Sequence, residues 1–226
     1  MGNNNSYWNV ANKRIKMKIL NLYACLGGNR YKWNEVKEDI EVTAVELDIE
    51  LSRLYQERFP NDRVVVGDAH EYLLNHYKEY DFIWSSPPCP THSRIQLSMQ
   101  NNRDMAYPDM KLYQEIIFLK TFFKGKYVVE NVIPYYDTLI PAQKRGRHLF
   151  WSNFIIPHYE ERDVVIRDYQ IPQLEKHHKI DLSKYKGKQD KRKIGRNLVD
   201  YEAGKTIFET MLGIIKKENI KQTELF

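Results

Sequence analysis

Short apolar runs that alternate with helical stretches constrain the fold of this chain more than any other feature of its sequence. The first run, Met17 to Tyr23, leads to the Gly27-Gly28 pair, as a strand does when it enters a glycine turn. Five more strands are predicted, at Glu41 to Leu47, Val64 to Val66, Asp81 to Trp84, Tyr127 to Val129 and Arg147 to Trp151. Between them, Leu51 to Phe59 and Met110 to Phe123 have helical periodicity. This alternation predicts the α/β class, with a doubly wound, mainly parallel sheet.

Polar or nucleophilic side chains follow four of these strands, close to the points where the strands end. They are Glu46, Asp68, Cys89 and Glu130. The carboxyl ends of parallel strands meet at one edge of a sheet, and the ligands of doubly wound folds bind there. The four side chains are therefore predicted to share a site.

Length and charge limit the classes of protein that remain. A chain of 226 residues accommodates one α/β domain with a small appendage and is short for two full domains. The formal net charge is +5, and the basic residues concentrate between Lys176 and Arg196, where Asp181 and Asp190 oppose them. Such a run is either a solvated loop or a contact for a polyanion. No apolar run is long enough to cross a membrane, and two cysteines make no disulfide framework, which favours a reducing, cytoplasmic setting.

The turn after the first strand and two acids together predict a nucleoside pocket. The turn, Tyr23-Ala24-Cys25-Leu26-Gly27-Gly28, is not the Gly-x-Gly-x-x-Gly dinucleotide fingerprint and therefore disfavours NAD. Glu46 can accept both hydroxyls of a ribose, and Leu47 beside it can pack on an adenine face. Asp68 can accept from an adenine amino group, and it is equally well placed as a helix cap. The set describes an adenosyl site without a pyrophosphate.

The segment Pro87-Pro88-Cys89-Pro90 places a thiol in a stiff turn just past a strand end, where it can be aimed but not easily buried. Together with three later segments, this turn resembles the cytosine-5 DNA methyltransferase family, in particular its compact phage and prophage members. The later segments are Glu130-Asn131-Val132, Gln143-Lys144-Arg145-Gly146-Arg147 and Arg196-Asn197-Leu198-Val199. The resemblance spans Met17 to Gly213. It departs from the family at Cys25 and Arg196, where glycine is usual, and at Pro90, where glutamine is common.

The resemblance implies a Rossmann-like fold, S-adenosyl-methionine as cofactor, no metal, and methylation of carbon 5 of cytosine in double-stranded DNA. Cys89 would attack carbon 6 of a flipped base and form a covalent adduct. Glu130 would hold ring nitrogen 3 and the exocyclic amine, and Asn131 would orient that loop. Arg145 or Arg147 would lower the pKa of the thiol. The implied setting is the cytoplasm of a bacterial or phage-infected cell.

The same segments assign the remaining contacts. The residues predicted to bind the cofactor are Tyr23, Ala24, Gly27, Gly28, Glu46, Leu47, Asp68, Ala69, Pro87, Asn197 and Val199. The residues predicted to contact DNA are Ser93, Arg94, Gln143, Lys191 and Arg192. The polar loop from Thr91 to Tyr107 begins at the nucleophile and is predicted to close over the flipped strand.

The expected organisation is a catalytic and cofactor-binding domain formed by residues 17–152 and 196–215, with a helix from Tyr201 to Met211. A small target-recognition insertion would occupy residues 153–195, between a flexible arm at 1–16 and a flexible tail at 216–226. In the tail, Gln222, Leu225 and Phe226 resemble the short peptide by which bacterial replication and repair proteins bind the sliding clamp. This predicts a weak clamp contact.

Three other functions remain open at the level of the sequence. An amino-methyltransferase also carries paired prolines, although an aromatic residue follows them where this chain has Cys89. A tRNA cytosine-5 methyltransferase shares the whole cytosine-5 machinery. A relative that binds DNA without catalysis has no use for an intact set of Cys89, Glu130, Arg145 and Arg147. The base that removes the carbon 5 proton is not identified by the sequence.

Overall fold

A single sheet organises the chain, and the computed structural model describes residues 16–98, 104–159 and 169–214 of it. Within these residues the strands are β1 (Met17–Leu22), β2 (Ile40–Glu46), β3 (Arg63–Val66), β4 (Phe82–Ser85), β5 (Lys126–Val132), β6 (Gln143–Arg145) and β7 (His148–Ser152). Their order in the sheet is β3-β2-β1-β4-β5-β7-β6. The first five strands are parallel, and β7 is antiparallel to both β5 and β6. The predicted doubly wound, mainly parallel sheet is confirmed.

Helices cover both faces of the sheet. They are α1 (Trp33–Val36), α2 (Ile49–Arg58), α3 (Ala69–His76), α4 (Ile95–Ser98), α5 (Lys111–Phe122), α6 (Ile171–His178), α7 (Lys191–Asn197) and α8 (Tyr201–Met211). Single 3₁₀ turns lie at Tyr77–Glu79 and Leu182–Lys184. None of the helices in the described part of the chain is long and apolar enough to cross a membrane.

The two faces of the strands bury separate cores because successive side chains of a strand point to opposite sides. On one face Leu20, Ile83 and Val129 pack with Leu73 of α3 and Ile116 of α5. Strands buried in this way on both faces read as nearly continuous apolar runs, which is why the sequence predicts them well.

The opposite face carries the neighbouring side chains of the same strands. Ile19, Phe82 and Val128 pack there against Trp33 of α1 and Phe208 of α8, and the last two rings are stacked with centroids 5.2 Å apart. The predicted helix from Tyr201 to Met211 is confirmed as α8. It closes the sheet on the side that leads to the carboxyl ends of the strands.

The edge of the sheet after β5 differs from the prediction in two places. The fifth strand continues through Val132, so Glu130 and Asn131 lie within β5 rather than after it. Gln143–Arg145 forms a strand of its own that the sequence did not predict. Both errors have one cause: polar residues have low β-propensity, and here the antiparallel ladder to β7, with Asn131 opposite Leu149, keeps the backbone extended.

The interval predicted as a separate recognition insertion, residues 153–195, packs against the cofactor half in its described part. Leu182, Tyr185 and Ile194 form one apolar cluster with Leu51 and Leu54 of α2. The guanidinium of Arg58 donates to the carbonyl oxygens of Leu26 and His178, at 2.7 and 3.0 Å. Residues 171–195 therefore pack on the rest of the domain, and the predicted recognition role of residues 153–195 stays a prediction. The predicted arm and tail lie outside the described residues, apart from Lys16.

Candidate active site

One cleft lies at the carboxyl edge of the sheet, with a volume of about 600 Å³. Glu46, Asp68, Cys89 and Glu130 all line it, which agrees with their positions at the strand ends, and their roles in a site stay predictions. The other predicted site residues that line it are Tyr23, Ala24, Gly28, Leu47, Ala69, Pro87, Asn131, Asn197 and Val199. This volume falls in the range of small-molecule sites.

The turn after β1 winds through three left-handed residues, Tyr23, Cys25 and Gly27, with φ of 55°, 46° and 65°. Gly28 lets this turn approach the chain between α7 and α8, because a Cβ at Gly28 would lie 2.4 Å from the carbonyl oxygen of Val199. Gly27 does not line the cleft, and a Cβ there would meet the rings of Phe59 and Tyr55 instead. Its predicted contact with the cofactor stays a prediction, and the absence of a side chain at Gly27 allows the turn to pack against α2.

Glu46 ends β2 and fixes the same turn. Its carboxylate accepts from the backbone N–H of Cys25 and of Asp48, each at 2.9 Å. Burial raises the pKa of this carboxyl above its usual value. Leu47, which follows it, is 70% exposed at the cleft. An apolar side chain in the open beside a held carboxylate is what a ribose and an adenine ring require.

Asp68 has one of the two roles that the sequence left open, because it caps a helix, and it also lines the cleft. One carboxylate oxygen caps α3 by accepting from the backbone N–H of Glu71 at 3.0 Å. The other lies 3.5 Å from the ammonium of Lys111. The backbone hydrogen bond and the nearby ammonium hold the pKa of Asp68 below its usual value, so the carboxylate is charged where it lines the cleft.

A buried carboxylate that the sequence analysis missed connects the two halves of the site. Glu115 of α5 is fully buried and accepts from the hydroxyls of Tyr23 and Ser85, at 2.5 and 2.6 Å. His70 lies 3.0 Å away, and this hydrogen bond raises the pKa of the imidazole. The available signal was a glutamate on the apolar face of a helix, next to Leu112 and Ile116, where an acid needs partners.

The nucleophile loop is held from two sides. The side-chain amide of Asn131 donates to the carbonyl oxygen of Pro87 at 3.0 Å, which is a contact suited to orienting the loop. Behind the loop, Nδ1 of the buried His92 lies 2.5 Å from the hydroxyl of Tyr136. The backbone N–H of His92 donates to the carbonyl oxygen of Cys89 and closes a tight turn around the thiol.

The electrostatic surroundings of Cys89 differ from the prediction. Burial and the negative charge of Glu130 raise the pKa of the Cys89 thiol to about 11, and the ammonium of Lys193 opposes this shift. Lys193 belongs to α7 and lines the same cleft, although the sequence analysis did not select it. The predicted cations, Arg145 and Arg147, do not line the cleft.

The side chains of Gln143 and Arg145 bind the backbone of the segment that follows β7. The guanidinium of Arg145 donates to the carbonyl oxygens of Ile156 and Pro157, and the latter contact is 3.1 Å long. The amide of Gln143 donates to the carbonyl oxygen of Phe154 and accepts from the backbone N–H of Ile156. Both side chains are bound to the backbone of residues 154–157, and their predicted roles at the thiol and at DNA stay predictions. The motif identified the residue types, but their direction depends on how β6 pairs with β7.

Glu130 has a partner that the sequence analysis also missed. Its carboxylate is 7% exposed in a cleft wall, and Nε2 of His148 on β7 lies 3.6 Å from it. His148 lines the cleft as well. The sequence does not predict that Glu130 and His148 are close in space. They lie side by side because β5 and β7 are antiparallel neighbours.

The residues predicted to contact DNA lie around the cleft but do not line it. Arg94 donates from Nε to the carbonyl oxygen of Pro134 at 3.2 Å, and Ser93 forms a bridge with the same proline. Lys191 and Arg192 begin α7, at the end of the basic interval. The loop from Thr91 to Tyr107 contains α4 in its described part, and residues 99–103 lie outside the described part of the chain.

A seven-stranded, mainly parallel sheet of this order is the Rossmann-like fold of S-adenosyl-methionine-dependent methyltransferases. Residues 17–134 match the family described as C-5 cytosine-specific DNA methylase. The match covers just over half of the chain, and the chain belongs to this family.

Solved structures with similarity include proteins of related description. A variant of Spodoptera frugiperda DNMT2 is 26% identical, over 52% of this chain and 36% of that chain, with a TM-score of 0.39. A putative DNA modification methyltransferase encoded within a prophage (E. coli) is 19% identical, over 54% and 34%, with a TM-score of 0.38. This chain therefore spans about a third of the length of those two proteins. Among curated proteins, no sequence matches it.

Proposed function

We propose that this protein transfers a methyl group from S-adenosyl-methionine to carbon 5 of cytosine in DNA, through a covalent adduct on Cys89. The observation that carries the proposal is the shared cleft. It brings the thiol of Cys89 and the carboxylate of Glu130 together with the two acids of a nucleoside pocket, Glu46 and Asp68. Cytosine-5 chemistry needs a nucleophile, a partner for the ring and a methyl donor in one place.

The residues of the cofactor half fit an adenosyl group. Glu46 is fixed by two backbone N–H groups and can accept ribose hydroxyls with its remaining lone pairs. Leu47 offers its exposed side chain to the adenine face, and Asp68 offers a charged acceptor to the amino group. Gly28 keeps the backbone free of a side chain where the turn meets Val199. When bound, S-adenosyl-methionine supplies an electrophilic methyl group on its sulfonium.

Carbon 5 of cytosine is too weak a nucleophile to accept that methyl group unaided. The Cys89 thiolate attacks carbon 6, the new S–C bond places electron density on carbon 5, and Glu130 holds ring nitrogen 3 and the exocyclic amine meanwhile. Asn131 keeps the loop in place through its bond to Pro87. After carbon 5 has been methylated, its proton leaves to a base and Cys89 departs with the electrons of the S–C bond.

The thiol is the demanding group in this scheme. With a pKa of about 11, Cys89 is mostly protonated at neutral pH, and Lys193 is a cation of the cleft whose charge favours the thiolate. The negative charge of Glu130 acts in the opposite direction. A base bound against Glu130 therefore helps Cys89 as well, because the ring takes up part of the charge that disfavours the thiolate.

The substrate side follows from geometry. A cytosine inside a duplex cannot present carbon 6 to a thiol, so the target must be flipped, at a cost of a few kcal/mol of unstacking. The loop from Thr91 to Tyr107 follows Cys89 closely in the sequence and would close over the flipped strand. Lys191, Arg192 and the other basic side chains between Lys176 and Arg196 would contact phosphates. Recognition of the target sequence would fall to residues 153–195.

The experiment is a methyl-transfer assay with labelled S-adenosyl-methionine on duplex DNA and, in parallel, on tRNA. Methylated cytosines in the DNA are then located at single-base resolution, and the nucleoside product is identified by mass. The expected result is 5-methylcytosine at one short sequence in DNA, with no label when Cys89→Ser replaces the wild type. Label in tRNA alone would overturn the DNA substrate, and N4-methylcytosine or N6-methyladenine would overturn the covalent scheme.

A further inference from the structure

We propose that His148 is a positioning residue that holds the Glu130 carboxylate and supplies the proton which Glu130 passes to ring nitrogen 3 of cytosine. The inference rests on the proposed function. Its geometric basis is the contact between two groups of the cleft wall, Nε2 of His148 and the carboxylate oxygen of Glu130, at 3.6 Å.

The strand pairing fixes this contact. In the antiparallel ladder Glu130 lies opposite Phe150, and Val132 lies opposite His148. Residues two apart on a strand share a face of the sheet, so His148 and Phe150 point to the same side as Glu130. Phe150 packs in the core on that side, and His148 lies beside Glu130. The imidazole edge also rests on the Phe150 ring, with centroids 6.4 Å apart. A small movement of either side chain brings the 3.6 Å contact within hydrogen-bond range.

The exposures of the two groups suit proton transfer from solvent to the ring. Glu130 is nearly buried, whereas the side chain of His148 is 21% exposed and reaches solvent. Histidine is also the side chain that ordinarily changes charge between pH 5 and 8. His148 can therefore collect a proton from water and present it to a carboxylate that has little contact with water itself.

The other charged and titratable groups around His148 come from four parts of the chain. Glu130 is on β5, and Arg145 on β6 is the register partner of His148, although its guanidinium is bound to the carbonyl oxygens of Ile156 and Pro157. Cys89 and Lys193 lie on other walls of the cleft. Among the described residues, Glu130 is the carboxylate paired with His148.

The proton balance of the reaction closes with this pair. When the Cys89 thiolate bonds to carbon 6, ring nitrogen 3 becomes basic and takes a proton from Glu130, which takes one from the His148 imidazolium. The adduct is then neutral, and His148 is neutral. When carbon 5 has lost its proton to water and Cys89 has left, the proton on nitrogen 3 returns through Glu130 to His148.

The experiment compares His148→Gln and His148→Phe with the wild type in single-turnover methylation of the DNA site that the wild type labels, from pH 6 to pH 9. We expect the rate to fall about 10- to 100-fold at neutral pH, which is at or below the lower end of the range for loss of general acid catalysis, because Glu130 itself remains. The affinity for S-adenosyl-methionine by calorimetry should stay within about twofold, because the contacts of His148 are with Glu130 and Phe150 rather than with Glu46 or Asp68. Because the thiolate fraction of Cys89 rises with pH while the imidazolium fraction of the wild type falls, the rates of both variants should rise more steeply with pH than the wild-type rate.

Two further variants make the result specific. His76→Gln removes an exposed imidazole of α3, which lies 2.7 Å from the carboxylate of Glu79. This variant should leave the rate and its pH dependence unchanged. The double variant Glu130→Gln with His148→Gln should be no slower than Glu130→Gln alone, because His148 acts through Glu130.

The outcomes separate this inference from the proposed function. A wild type that makes no 5-methylcytosine in DNA overturns the proposed function and, with it, the role of His148. An active wild type whose rate and pH profile persist in His148→Gln overturns the inference alone. Loss of cofactor affinity in parallel with the rate, or a lower melting temperature in both variants, would assign His148 to packing on Phe150 and would equally overturn it.

Discussion

The hydroxyl of Tyr185 donates a hydrogen bond of 2.8 Å to the carboxylate of Asp48, across 137 positions of the chain. The side-chain amide of Gln189 reaches the same oxygen at 2.8 Å. Asp48 caps α2 and lines the cleft beside Glu46, so the basic interval is fastened to the wall of the nucleoside pocket. A segment expected to read DNA is therefore also part of the cofactor half.

The first prediction concerns this fastening. Tyr185→Phe removes a hydrogen bond to a charged acceptor and should lower the free energy of unfolding by about 1.5 kcal/mol, with a weaker affinity for S-adenosyl-methionine. Chemical denaturation and calorimetry measure the two effects. Tyr107→Phe, at a residue that is 93% exposed, is the matched control. Equal stabilities for the two variants would show that the bond to Asp48 contributes nothing.

The second prediction tests the two acids of the nucleoside pocket. Glu46→Ala and Asp68→Ala should each weaken binding of S-adenosyl-methionine by about 1.5–3 kcal/mol, which is roughly 10- to 100-fold in Kd. Asp68→Asn separates capping from charge, because asparagine also caps helices well. Glu57→Ala, a substitution on the exposed side of α2, should leave the affinity unchanged. Wild-type affinity in both alanine variants would remove the acids from the site.

The third prediction is the pH dependence of thiol reactivity at Cys89. Its pKa of about 11 lies above the working range, so the thiolate fraction should rise about tenfold per pH unit between pH 7 and 10. The rate of alkylation by iodoacetamide reports it, in a Cys25→Ser background that leaves one thiol. A plateau below pH 9 would contradict the raised pKa, and Lys193→Met should slow the reaction further at each pH.

The fourth prediction uses two glycines as a matched pair. Gly28→Ala brings a methyl group to 2.4 Å from a backbone oxygen of Val199 and should destabilise the fold by about 1–3 kcal/mol. Gly67→Ala meets open space and should change the melting temperature little. Thermal unfolding of both variants measures this difference. Similar melting temperatures would indicate that the turn and the segment between α7 and α8 separate at no cost.

The fifth prediction concerns the last residues. Gln222, Leu225 and Phe226 lie outside the described residues, and their contact with a bacterial sliding clamp stays a prediction. A peptide of residues 216–226 should bind the clamp weakly in a polarisation titration, because ordering a short flexible segment costs entropy. Leu225→Ala with Phe226→Ala should abolish the binding. Absence of binding at high micromolar concentration would dispose of the idea.

The sequence predicts those parts of the site that depend on the ends of strands. Glu46, Asp68 and Cys89 follow apolar runs that are plain in the sequence, and parallel topology then brings them to one edge. Glu115 and His148 were missed because their roles depend on which helix face or strand neighbour meets the cleft. Those relations are set by packing and register, which no local pattern encodes.

The arginine segment shows a second limit of the sequence. Gln143 and Arg145 were recognised by type, and their type suits either a phosphate or a backbone carbonyl. In the structure both side chains bind the backbone between Phe154 and Pro157. They reach it because β6 pairs with β7 and lies beside the segment that follows β7. A motif therefore identifies donors, while the fold determines which acceptors they reach.

The cleft is lined by segments that are far apart in the sequence and are therefore synthesised at different times. Tyr23 and Gly28 emerge early, whereas Asn197 and Val199 follow only after the whole sheet has been made. The packing of Trp33 likewise depends on α8, because its indole N–H donates to the carbonyl oxygen of Gly204 in that helix. Contacts of such long sequence separation form slowly and leave apolar surface open in the meantime. The cleft should therefore be incomplete, and the nascent chain most exposed to aggregation, until α8 has docked.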